Sequence, residues 1–85
     1  SRDYVDRSGY AFDMGRQKGH EKGLEKGRKD WSKGRSFDLN RHDAYRDADD
    51  GYHSDYGSKA VYRDGFRRGF EEGYREGYGG RFSRY

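Results

Sequence analysis

The sequence predicts an all-α protein, an antiparallel helical hairpin with Gly-xxx-Gly seams and a short middle helix. Three observations lead there. Glycine recurs every fourth residue in two stretches, Gly15, Gly19, Gly23, Gly27 and Gly65, Gly69, Gly73, Gly77. In the second stretch an aromatic follows each glycine: Phe66, Phe70, Tyr74 and Tyr78. Opposite charges also stand four apart, Asp64 with Arg68, Arg67 with Glu71, Arg68 with Glu72, Glu71 with Arg75 and Glu25 with Lys29. A spacing of four suits a strand as well, with glycines and rings on opposite faces. The charges favour the helix, because only there are side chains four apart direct neighbours.

Taken in order, residues 1–8 are a polar lead containing Tyr4 and Val5. Residues 9–35 form the first glycine-tetrad helix, capped by Ser8 or Asp13 and ended by Gly34. Residues 36–57 are a connector dense in Asp and Tyr. Within it, Asn40 or Asp43 to about Asp50 reads as a short helix stopped by Gly51. Residues 58–78 form the second, Gly-aromatic tetrad helix, with Ser58 as N-cap and Gly79 just past its end. Residues 79–85 are a basic-aromatic tail ending RFSRY. The two tetrad regions are an internal repeat.

Glycine inside a helix costs about 1 kcal/mol relative to alanine, so each set of four costs roughly 3–4 kcal/mol. Close packing has to offset that loss. A helix stripped of side chains along one row lets another backbone or a flat ring lie on it, as small-xxx-small seams do. The expected interface is therefore Gly65, Gly69, Gly73 and Gly77 for close approach, with Tyr62, Phe66, Phe70, Tyr74 and Tyr78 supplying buried area. Gly15, Gly19, Gly23 and Gly27 are the receiving groove for those rings, in the same chain or in a neighbouring subunit. Val61, Leu24, Trp31, Phe12 and Met14 add to the apolar seam.

Composition points to association. Of 85 residues, 28% are hydrophobic and 41% charged, and mean hydropathy is −1.64. Such a chain has little apolar surface to set against its entropy, and it lacks the cysteines that staple small domains. Aromatics at 18% pull the other way. Order within a homo-oligomer or filament reconciles the two. The 19 basic and 16 acidic residues are interleaved along the chain, which argues against a continuous basic stripe. No apolar run has the length of a membrane span. The chain starts at Ser1 without Met, as a processed protein does, and this suggests an extracellular or cell-surface location.

The stretch GFRRGFEEGYREGYGG, with the preceding DADDGYHSDYGSKAVYRDG, resembles a group of small, uncharacterised bacterial proteins. Those proteins carry repeated Gly-aromatic-x-x tetrads, a Tyr-rich middle and an Arg-rich tail, and many are exported. The resemblance implies no activity. The first region departs from it, with Arg16, His20, Leu24 and Arg28 after its glycines.

Candidate chemistry is sparse. His53 lies near Asp49, Asp50 and Asp55, and His42 adjoins Asp43, but without a metal-binding spacing these read as surface loop residues. The run Asp47 to Gly51 has its glycine one place early for an EF-hand and no glutamate at the closing position. No serine sits in a nucleophile-elbow context, and GxxxG is not the GxGxxG phosphate cradle. The expectation is a protein that is not an enzyme, with no cofactor, metal or small-molecule substrate. It is read as a structural, self-assembling subunit of an extracellular filament or lattice. The alternative is an arginine/aromatic nucleic-acid-binding module built on Arg63, Arg67, Arg68, Arg75 and the tail.

Overall fold

The computed structural model describes residues 2–79, with residues 2–8 as backbone only. The basic-aromatic tail from Gly80 onward lies outside the described residues. Three α-helices run α1 (Arg2–Ser32), α2 (Asp43–Asp47) and α3 (Lys59–Gly77), with single 3₁₀ turns at Leu39–Arg41 and Ser54–Tyr56. Among the described residues there is no strand.

The caps explain most of the boundaries. Gly34, at φ +72°, ends α1. Its N–H donates to Trp31 O at 3.1 Å, and the Arg35 N–H donates to Asp30 O at 2.9 Å, a Schellman motif. Ser58 Oγ accepts from the Val61 N–H at the start of α3, and Gly79 at φ +125° closes its end. The first helix begins earlier than expected: Ser8 and Asp13 are interior residues of α1, not caps. The middle helix stops at Ala48, three residues before Gly51, and Ala48 takes the left-handed conformation at φ 56°. Ala48 is fully buried in the core, so its methyl contact offsets a conformation that costs a non-glycine residue about 1–2 kcal/mol.

The two long helices pack side by side, but parallel rather than antiparallel. Gly15, Gly19, Gly23 and Gly27 face Tyr62, Phe66, Phe70 and Tyr74 in turn, so both chain directions rise together. The reason lies in the connector. Twenty-six residues separate Ser32 from Lys59, enough to return along the pair, whereas helices joined head to head have links of about 2–8 residues.

The contact is backbone on backbone from both sides. A Cβ placed on Gly15, Gly19, Gly23 or Gly27 would meet a carbonyl oxygen of α3 at 2.0–2.4 Å. One placed on Gly65, Gly69, Gly73 or Gly77 would meet the carbonyl of Phe12, Arg16, His20 or Leu24 at 2.0–2.3 Å. The hydrogen that occupies each Cβ direction therefore points at a carbonyl. Such Cα–H···O contacts are worth about 0.5–1 kcal/mol each, comparable to the helix cost of each glycine.

The rings do not enter the glycine groove, because backbone already fills it. They form a column beside it: Tyr62, Phe66, Phe70, Tyr74 and Tyr78 follow one another at 5.9–6.3 Å between centroids, and Tyr56 stacks on Tyr62 at 5.8 Å. The connector covers that column with its own rings, edge-on except for the tilted Tyr45. Tyr52 meets Tyr62, Tyr45 meets Phe70, and Phe37 meets Tyr74 and Tyr78, at 4.8–5.4 Å. Tyr62, Phe66, Phe70 and Tyr74 are buried, and Tyr78 is half-buried. A single chain thus assembles its core from one ring ladder and the loop that closes over it.

Along α1 and α3 charges are used across elements, while Arg46 pairs with Asp43 within α2. Among the described residues none of the five four-apart pairs is an ion pair. Instead Arg16 makes a forked contact with Glu72, and His20 lies 3.2 Å from Glu76, bridging α1 and α3 on the uncovered side. Glu71 accepts from Tyr45 Oη at 2.7 Å. Arg67 donates to the Tyr45 and Arg46 carbonyls, and Arg63 to that of Asp47, satisfying the end of α2.

Candidate functional site

Two places concentrate chemistry. The first is Asp30, a carboxylate 1% exposed in the last turn of α1. Its Oδ2 accepts from Tyr74 Oη at 2.5 Å, from Arg41 Nη1 at 2.9 Å and from His42 Nε2 at 2.8 Å. His42 Nε2 faces a carboxylate oxygen and so carries the proton. Arg35 Nη1 stands 3.8 Å from Oδ1, which is buried without a hydrogen bond. Arg41 is held by the Ser36 carbonyl and hydroxyl, and Tyr74 Oη accepts from the Asp38 N–H at 3.1 Å. One carboxylate therefore ties α1, α3 and the start of the connector together.

Burial pushes the Asp30 carboxyl upward, but the hydrogen bonds from Tyr74 and His42, the His42 charge and the Arg41 hydrogen bond outweigh it and hold the group below its ordinary value. Tyr74 is pushed up to about 12, first by burial and then by donating to Asp30. Tyr62 reaches about 12 as well, through burial and the nearby Tyr56, Asp50 and Asp49. An aspartate, histidine and tyrosine in contact are parts used in acid–base catalysis, but Asp30 and Tyr74 are closed to solvent. The cluster works as a latch.

The second place is the end where both long helices finish. Trp31 is 45% exposed and Phe37 47%. Each meets Tyr78 edge-on, at 5.5 and 5.4 Å. Residues 26–35 carry five cations and, as their one acid, the buried Asp30. Arg28, Lys29, Lys33 and Arg35 are exposed. On the other side of the pair, an open depression is lined by Asp13, Arg16, Gln17, His20, Glu21, Glu72 and Glu76, whose interhelical pairs cross it.

The residues singled out in the sequence land as follows. All eight tetrad glycines are buried between α1 and α3. His42 turns to Asp30 rather than to its neighbour Asp43. His53 stays exposed and meets Asp55, its Nδ1 accepting from the Asp55 N–H at 3.3 Å. In the Asp47–Gly51 run, Asp49 lies 3.8 Å from Lys59 and Asp50 3.6 Å from Lys22. Among the described residues no three ligand-type side chains converge, and no helix is long and apolar enough to cross a membrane. Sequence reasoning missed Asp30, Arg41, Phe37 and Tyr45. The one signal was positional: Asp30 stands three residues after Gly27, on the face the glycine row marks out.

Comparison with models of protein families, with curated proteins and with solved structures found no match.

Proposed function

We propose that the chain is a non-enzymatic structural protein, a rigid helical subunit that associates with copies of itself in an extracellular filament or lattice. The observation that carries this reading is the exposed aromatic cluster of Trp31 and Phe37 at the end where both long helices finish. Exposed aromatic patches bordered by charge mark interaction surfaces. The glycine rows are filled within one chain, so contacts between copies fall to this end and not to the grooves. Sedimentation velocity over a concentration series tests the reading, with negative-stain imaging of the largest species. Growth with concentration is expected; a single monomeric species at every concentration overturns it.

The same end favours a second reading, single-stranded nucleic-acid binding, because cations surround rings on which bases stack. Of the helix arginines expected to carry it, Arg63 and Arg67 are committed to carbonyls of the connector and Arg68 and Arg75 are exposed, so this activity would rest on those two with Arg28, Lys29, Lys33 and Arg35. A gel shift that weakens steeply with salt is expected under this reading, and no retardation at low salt removes it.

A further inference from the structure

Resting on the self-association reading, we infer that copies join head to tail: the basic aromatic end of one chain seats on the acidic loop of the next. A parallel pair has two unlike ends. At one, α1 and α3 both terminate, beside Trp31, Phe37 and Tyr78 and the cations of residues 26–35. Toward the other, where α3 begins, residues 47–55 hold four aspartates and no lysine or arginine. Lys59 and Lys22 stand near Asp49 and Asp50, placing this loop beside the start of α3 and the middle of α1. Asp47 meets no cation with its carboxylate among the described residues, and the Asp55 carboxylate is 85% exposed.

The acidic side has its own rings. Tyr10 is half exposed, edge-on to Tyr56 at 5.7 Å, and His53 lies 5.9 Å from Tyr56. Two aromatic patches of opposite charge therefore sit at different places on one body. Basic end against basic end sets like charges together, as does acidic loop against acidic loop; basic end against acidic loop joins unlike charges and stacks rings on rings. Such a contact uses different surfaces on each partner, so it leaves one of each free and propagates. The direction of the helix pair decides this polarity. An antiparallel hairpin would put one start and one finish at each end.

Two charge-reversed variants test the pairing, Lys29→Glu with Lys33→Glu, and Asp47→Lys with Asp55→Lys. These four side chains make no ion pair with another helix or with Asp30, and circular dichroism checks that each variant keeps the fold. In sedimentation at low salt the wild type assembles, each variant alone stays monomeric, and the mixture of the two assembles again. If the wild type assembles and both variants assemble as it does, the head-to-tail contact is wrong while self-association stands. If only the lysine variant fails to assemble and mixing does not rescue it, the basic end is part of the contact but the acidic loop is not its partner, and the head-to-tail pairing is overturned. If the wild type never assembles, the self-association reading itself fails, and retention of a labelled oligonucleotide then assigns the basic end to nucleic acid. A salt series on the wild type needs no variant: average size should fall several-fold as salt rises, and an unchanged size overturns the charge pairing.

Discussion

The hydroxyl of Tyr74 donates to the buried carboxylate of Asp30, joining the last turn of α1 to the last turns of α3 across 44 positions of sequence. Around that contact Arg41 and His42 pin the connector, so the loop that covers the ring column is anchored at the point where both long helices end.

Removing the acceptor should therefore release the connector. Asp30→Asn takes the counter-charge from the partly exposed Arg41 and weakens every hydrogen bond that converges on the carboxylate, each worth about 1.5–3 kcal/mol while the acceptor is charged. Tyr74→Phe keeps the ring stack and loses two hydrogen bonds of one hydroxyl, the donation to Asp30 and the acceptance from the Asp38 N–H, about 1–3 kcal/mol. Urea titration followed by circular dichroism should rank the variants in that order, and an Asp30→Asn protein as stable as wild type would show that the latch contributes nothing.

Asp30 also sets the acid limit. Its carboxyl is held below the ordinary 3.8, so the folded state prefers the ionised form. Its contribution is complete above that value and disappears as pH falls through the lowered one. Stability should drop below about pH 4 in the wild type. The Asp30→Asn variant should lose that part of the acid dependence.

At high pH the sign reverses. Tyr62 and Tyr74 are both raised from 10 to about 12, so the folded state holds their protons more tightly than the unfolded chain. Their contribution is intact below pH 10 and is lost as pH rises toward 12, about 2–3 kcal/mol for each ring. Alkaline unfolding should coincide with tyrosinate absorption from these two rings. Titration of all nine tyrosines near pH 10 with the helices intact would contradict the burial of both.

Two alanine substitutions in one helix should act in opposite directions. At Gly19 a Cβ would stand 2.0 Å from Phe66 O, and backbone cannot step aside cheaply; overpacking of this kind costs about 1–3 kcal/mol or more. At Gly9 nothing lies within 4 Å, so Gly9→Ala should gain up to about 1 kcal/mol of helix propensity. Thermal melts distinguish them, and a stable Gly19→Ala protein would mean that the helices are not in backbone contact.

Much of the local structure was written in the sequence. Four-residue periodicity marked both long helices, and Ser58, Gly34 and Gly79 marked their ends, because capping and left-handed backbone demand particular residue types within one turn. The latch was hidden: Asp30, Arg41, His42 and Tyr74 become neighbours only when three separate segments fold together, and nothing local distinguishes a buried aspartate from a solvated one. The direction of packing was hidden for a different reason. A row of glycines four apart reads the same from either end, so each helix accepts a partner running either way, and a ring or a backbone fits the groove equally well. The long connector, folded back over its own ring column and held at Asp30, makes the pair parallel and places backbone rather than rings in the groove.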